Sequence, residues 1–255
     1  MPAATELIVA LDFARLSEAE TCMQKLEGLP VIYKVGFELF LVAGPDWVRR
    51  QVGQGRRIFL DLKFHDIPNT VRKAARQAAE LGAEMFTLHL AGGPKMIQAV
   101  QDELRALAKP PIVLGVTVLT SFDQGTWSAV SQAMVGPDAD AGVTASPAVS
   151  ATISVSISAS ISASVAGLVT QARAWGATGI VCSAHELETV RRIDPSLYTV
   201  VPGIRPEGAA AGDQARVMTP AQARALGASA VVIGRPITES YDPRQTAQKV
   251  LLALA

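Results

Sequence analysis

IFLDLKFHDIPNTVRKAARQAAELGA, residues 58–83, contains one complete structural unit. Ile58–Leu62 is a short apolar run holding a single acid. Thr70–Leu81 then repeats alanine and charge at helical spacing up to Gly82, a residue suited to closing a helix. The same kind of apolar run recurs at Leu7–Leu11, Val31–Val35, Met85–Leu90, Ile112–Leu119, Gly179–Cys182, Tyr198–Val201 and Ala230–Ile233, which makes eight in all. Continuous apolar runs without alternation are what parallel strands look like when both faces are covered. Helical patterns lie between them at Ser17–Glu27, Met96–Ala108, Val165–Trp175 (stopping at Gly176), Thr219–Leu226 (stopping at Gly227) and Pro243–Ala255. Thr219 and Asp242 each precede a proline and read as N-caps with proline at the first helical position. Eight strand-plus-helix units in 255 residues predict an α/β chain of one domain, a (β/α)8 or TIM barrel. An open doubly wound sheet is the alternative, but no GxGxxG follows the first strand.

One region departs from this rhythm. About residues 136–164 the chain reads GPDADAGVTASPAVSATISVSISASISAS, with no charge after Asp140. We read it as a low-complexity insertion between the fifth and sixth units, irregular or mobile. Its period-two stretch, ISVSISASIS, makes a small hairpin the second choice.

Composition narrows the function. With 23 basic and 23 acidic residues the net charge is zero, so no broad attraction to nucleic acid or to a membrane surface is expected. A local basic pocket for a small anion is compatible with that balance. Two cysteines without CxxC spacing and three histidines do not suggest a zinc cluster, and no metal is expected. Buried free cysteines fit a reducing cytosol. The start, MPAATELIVALDF, has no basic n-region and only a short apolar run, and no stretch reads as a membrane-spanning helix. A cytoplasmic protein is therefore expected.

In a barrel, chemistry sits where the strands end, at the C-terminal face. There the chain places Asp12 after the first run, Lys34 in the second, Asp61 and Lys63 in the third, His89 at the fourth, and Thr120 and Ser121 after the fifth. Pro202, Gly203 and Arg205 follow the seventh run, and Gly234 and Arg235 the eighth. Asp61 and Lys63, two apart, point to the same side of an extended chain. Buried charges are costly unless paired, so two lysines and two aspartates converging at a barrel mouth point to catalysis. The other reading is a structural ion-pair cluster plugging that end. Gly234 and Arg235 match the phosphate site that barrels build from their last loops, with backbone N–H groups and a paired-donor guanidinium; the alternative is a surface turn. The long Gly/Ala-rich segment from Pro202 to Met218, holding Gln214, is either a lid or a connector. His65 falls in a loop, His89 packs under the site, and His185 looks like a helix-start residue.

The run DLKFHDIPNT at 61–70 closely resembles the signature of bacterial orotidine 5′-phosphate decarboxylases. So do IVALDF at 8–13, YKVGFELF at 33–40, TLHLAGG at 87–93, GVTVLTS at 115–121, GIVCSAHE at 179–186, VVPGIRP at 200–206 and VVIGRPIT at 231–238, and the likeness covers nearly the whole chain. The resemblance implies a cofactor-free enzyme of pyrimidine biosynthesis that converts orotidine 5′-monophosphate to UMP and CO₂. It implies that Lys63 donates the proton to C6, that Asp61 stands beside the substrate carboxylate, and that Lys34 holds Asp61 and contacts the ribose. Asp66 would complete a Lys34/Asp61/Lys63/Asp66 charge network by reaching into the neighbouring subunit's site, which implies a homodimer with shared sites. Asp12 would bind a ribose hydroxyl, and Thr120 and Ser121 the pyrimidine edge. Arg205, Gln214, Gly234 and Arg235 match phosphate-holding positions, and Thr70 and Pro202 complete the substrate-binding set. The 136–164 stretch departs from the family, whose link there is shorter and holds a helix. Two other functions compete: a metal-dependent sugar-phosphate lyase of the same superfamily, disfavoured because Lys34 stands where an acidic ligand is wanted, and a catalytically silent nucleotide-binding barrel.

Overall fold

The computed structural model describes residues 4–135, 160–206 and 218–255. Each apolar run forms a strand: β1 (Glu6–Ala10), β2 (Val31–Val35), β3 (Arg57–Phe64), β4 (Met85–His89), β5 (Ile112–Val116), β6 (Gly179–Val181), β7 (Tyr198–Val201) and β8 (Ala230–Ile233). They pair in parallel in sequence order, and β8 closes on β1 through Glu6–Ala230 to Val9–Ile233. The (β/α)8 barrel is therefore the fold, and the open sheet is excluded.

Inward-facing residues alternate along each strand and stack in layers. Ile8, Ile32, Phe59, Met85, Leu114, Val200, Ala230 and Val232 form the apolar interior. The next inward positions, two residues further along β2, β3 and β4, are Lys34, Asp61 and Thr87. The alternation that fills the core thus carries polar groups to the mouth. At the opposite end, the Arg57 guanidinium bridges Glu6 (2.7 Å) and Glu84 (2.7 Å from Nε), and the Tyr198 hydroxyl donates to Glu6. Those carboxylates raise the Arg57 pKa, while burial is the main cause of a raised Tyr198 pKa.

The helices are α1 (Leu16–Lys25), α2 (Phe37–Gly53), α3 (Pro68–Glu80), α4 (Gly93–Leu104), α5 (Gln124–Val135), α6 (Ile161–Trp175), α7 (Leu187–Ile193), α8 (Pro220–Ala225), α9 (Arg235–Thr238) and α10 (Pro243–Leu254). The expected caps are present. The Thr219 hydroxyl accepts from Gln222 N–H in a capping box, and Asp242 accepts from Gln245 N–H at 3.0 Å. Four helices lie outside the helical patterns read from the sequence, although His185 anticipates the start of α7. α2 is interrupted at Gly44–Pro45, where Gly44 takes φ 73° and joins two helical pieces across a kink. α5 lacks a regular apolar stripe, and α7 and α9 are short. The insertion reading also needs correction at its end: Ile161–Ser164 form the first turn of α6, and the Ser160 hydroxyl caps it by accepting from Ala163 N–H at 3.1 Å. The rest of that stretch lies outside the described residues. Among the described residues no helix is long and apolar enough to cross a membrane.

Candidate active site

The mouth of the barrel opens into a cavity of about 430 Å³. One wall carries a chain of alternating charges. Lys34 Nζ lies 3.0 Å from Asp12 Oδ1 and 3.7 Å from Asp61 Oδ2, and Lys63 Nζ lies 2.8 Å from Asp61 Oδ1. The Lys34 and Asp61 side chains are only 13% and 14% exposed, so each depends on its opposite charge to offset lost hydration. Gly36 lies against this pair: a Cβ there would sit in van der Waals contact, 3.4 Å from Lys34 Nζ and 3.5 Å from Asp12 Oδ1.

Lys63 reaches Asp61 by a route that alternation did not predict. Leu60 pairs with Phe86 and Phe64 with Leu88, so Asp61, Leu62 and Lys63 together oppose Thr87. The β3 backbone bulges there, and Lys63 takes φ 43°, the left-handed region that side chains with a Cβ rarely adopt. Its ammonium also stands 5.7 Å from the centroid of the Phe37 ring. Behind it, His65 and His89 stack with ring centroids 5.3 Å apart. Burial holds the His89 imidazole below its usual pKa; the neighbouring His65 and Lys63 push the same way, against Asp61.

The far end of the cavity is cationic and glycine-rich. Gly203 (φ 77°), Arg205, Gly234 and Arg235 line it, with Pro202, Thr238 and Glu239. Only glycine adopts the Gly203 conformation without strain, which turns the chain sharply just after β7. Between the two ends, Phe59, Val116, Val118, Val181, Val200 and Ile204 give an apolar floor and wall. The layout suits an elongated anion: a phosphate among the arginines and glycines, a flat apolar body, and a reacting atom beside Lys63.

Of the residues singled out in the sequence, Asp12, Lys34, Asp61, Lys63, Thr120, Pro202, Arg205, Gly234 and Arg235 line this one cavity. Asp66, Thr70 and Ser121 are exposed and do not line it. Asp66 instead accepts from Ile67 N–H at 2.6 Å, on the loop leading into α3. Gln214 and the body of its loop lie outside the described residues. His185 is exposed, two residues ahead of α7. Sequence reasoning missed Thr87 and Phe37, which sit in apolar runs that look like core.

The sequence matches the family described as "Orotidine 5′-phosphate decarboxylase / HUMPS family" over residues 5–250. It is 43% identical to the orotidine 5′-phosphate decarboxylase of Nitratidesulfovibrio vulgaris (strain DP4), covering 98% of this chain and 97% of that protein. The enzyme of the same name from Anaeromyxobacter sp. (strain K) is 41% identical, with 100% of both chains covered. The crystal structure of orotidine 5′-phosphate decarboxylase from Lactobacillus acidophilus superposes with a TM-score of 0.76 at 33% identity, covering 98% of this chain and 99% of that one.

Proposed function

From a chain that belongs to the orotidine 5′-phosphate decarboxylase / HUMPS family, we propose that orotidine 5′-monophosphate is the substrate and that UMP and CO₂ are the products, a step of de novo pyrimidine biosynthesis. The observation that carries this reading is the Asp12–Lys34–Asp61–Lys63 chain of charges, set in the same cavity as the arginine- and glycine-lined end.

In the proposed reaction the 5′-phosphate binds Arg205, Gly234 and Arg235, and Gln214, which lies outside the described residues, is assigned to the same phosphate. Pro202 lies against the substrate, Asp12 and Lys34 hold the ribose hydroxyls, and Thr120 with Ser121 meets the pyrimidine edge. The Asp61 carboxylate faces the substrate carboxylate and raises the energy of the bound ground state. The C6–carboxylate bond breaks, its electron pair stays on C6, and the Lys63 ammonium delivers a proton there while CO₂ leaves. The neutral amine is then reprotonated from solvent. One ammonium thus stabilises the developing carbanion and supplies the acid, so no cofactor is needed. Phosphate binding, remote from C6, contributes energy that orders the site.

Asp66 is assigned to the neighbouring subunit's site in a homodimer, and Thr70 to substrate binding. Exposed apolar groups, Ile67 beside Asp66 at 67% and Phe37 beside Lys63 at 53%, support a second copy covering this rim. Two free buried cysteines, Cys22 and Cys182, support a cytosolic setting.

The test is loss of orotidine 5′-monophosphate absorbance with purified protein in EDTA. Rapid conversion to UMP is expected. Activity that disappears in EDTA and returns with a divalent metal favours the sugar-phosphate lyase reading; tight UMP binding without turnover favours a silent nucleotide-binding barrel.

A further inference from the structure

We infer that Thr87 is a positioning residue whose hydroxyl sets both the backbone and the ammonium of Lys63; the inference rests on the decarboxylase reading above. Thr87 lies in MFTLHL, amid an apolar strand, and is fully buried. A buried hydroxyl is unfavourable unless its hydrogen-bonding capacity is used. Here both halves are used. Its oxygen accepts from the Lys63 backbone N–H at 2.9 Å, and its proton goes to Asp61 Oδ1 at 3.0 Å.

The bulge explains why a side chain is needed there. With Asp61, Leu62 and Lys63 set against Thr87 alone, the Lys63 N–H bonds to the Thr87 side chain instead of a β4 carbonyl. That bond supports a φ of 43° at Lys63. The carboxylate oxygen that accepts from Thr87 also accepts from Lys63 Nζ at 2.8 Å. Lys63 N–H, Thr87 Oγ1, Asp61 Oδ1 and Lys63 Nζ therefore form a closed cycle that returns to the residue it began from. The cycle fixes where the ammonium stands relative to its own backbone, and proton delivery is sensitive to displacements of an ångström or less. The branched Cβ of threonine, stiff at χ1, keeps the hydroxyl on this line.

Thr87→Val keeps the shape and removes the hydroxyl, while Thr87→Ser keeps the hydroxyl and loosens χ1. Thr87→Val is expected to lower kcat for orotidine 5′-monophosphate about 10- to 100-fold, with KM and UMP inhibition changed less than about threefold. Thr87→Ser is expected to recover most of kcat. If valine prevents folding, Thr87→Ala against Thr87→Ser makes the same comparison. A hydroxyl-free variant within about threefold of wild-type kcat overturns the inference. Equal losses of kcat and UMP affinity in valine and serine variants also overturn it, because they mark general damage to the site. Amide exchange at Lys63, followed by NMR, does not depend on turnover. It is expected to quicken more than about tenfold in the hydroxyl-free variant, and unchanged exchange overturns the inference even if the wild type proves to act on another substrate.

Discussion

Replacing Lys63 by alanine and, separately, by glycine isolates its chemistry from its strain. The ammonium 2.8 Å from Asp61 is assigned two tasks. A positioned general acid is worth about 10²–10⁴ in rate and a preorganised charge about 10²–10³, so both variants are expected to lose about 10⁴–10⁷ in kcat. UMP, anchored through its phosphate, is expected to bind both. The two variants differ in stability. Alanine retains a Cβ at φ 43°, a conformation that costs about 1–2 kcal/mol, whereas glycine adopts it freely but loses about 0.4–1 kcal/mol to the entropy of the unfolded chain. Glycine is therefore expected to be the more stable by about 0.5–1 kcal/mol, or about 1–2 °C in Tm for a chain of this length. Orotidine 5′-monophosphate turnover, UMP titration and urea unfolding of the same preparations give all three quantities. Lys63→Ala turnover within about a hundredfold of wild type refutes the proton-donor assignment. An alanine variant more stable than the glycine variant refutes the strain argument.

Three further predictions concern the frame around that residue. A Cβ at Gly179 would lie 2.6 Å from the Tyr198 backbone oxygen and 2.7 Å from Leu114 Cδ2. Backbone cannot step aside cheaply, so Gly179→Ala is expected to destabilise by about 2–3 kcal/mol in urea titrations; an unchanged midpoint contradicts this. Gly234→Ala, whose Cβ would sit 3.4 Å from Ala10 Cβ, tests the phosphate end of the cavity. It should raise KM about tenfold through hindered phosphate approach, with kcat near wild type, and an unaltered KM removes Gly234 from the phosphate site. His89 is held below its ordinary pKa by burial, so the folded state binds its proton less readily than the unfolded chain does. The stability tied to the neutral ring is fully present above the unfolded value of about 6.5 and is lost as pH falls through the lowered one. Unfolding midpoints measured from neutral to acid pH should therefore fall more steeply for wild type than for His89→Gln, and parallel curves count against the assignment.

The strands were legible because burial on both faces leaves uninterrupted apolar runs, and β2, β7 and β8 match the expected runs end for end. Most of the site was legible for the complementary reason: Lys34, Asp61 and Lys63 are charged residues in segments that otherwise exclude charge. What escaped depended on register. Thr87 is a β-branched residue in a strand, and only the inward phase set by Met85 marks its hydroxyl as facing the barrel interior. The bulge at Asp61–Lys63 is invisible locally because it is a mismatch with β4, not a property of β3 alone. α2 was hidden by Gly44–Pro45, which reads as a terminator but here bends a helix that continues to Gly53. Asp66 and Thr70 form no part of the cavity lining in one chain, and the task assigned to Asp66 depends on a second copy.

Among the described residues, the bridged Glu6, Arg57, Glu84 and Tyr198 and the packed side chains above them close the barrel at its base, opposite the cavity mouth. Traffic in the proposed reaction must therefore share a doorway. A small uncharged gas can slip past a nucleotide still tethered by its phosphate, whereas the nucleotide must release its arginines before it can leave. In the proposed reaction this puts the departure of CO₂ ahead of that of UMP, with the phosphate grip that recruits the substrate also holding back the product.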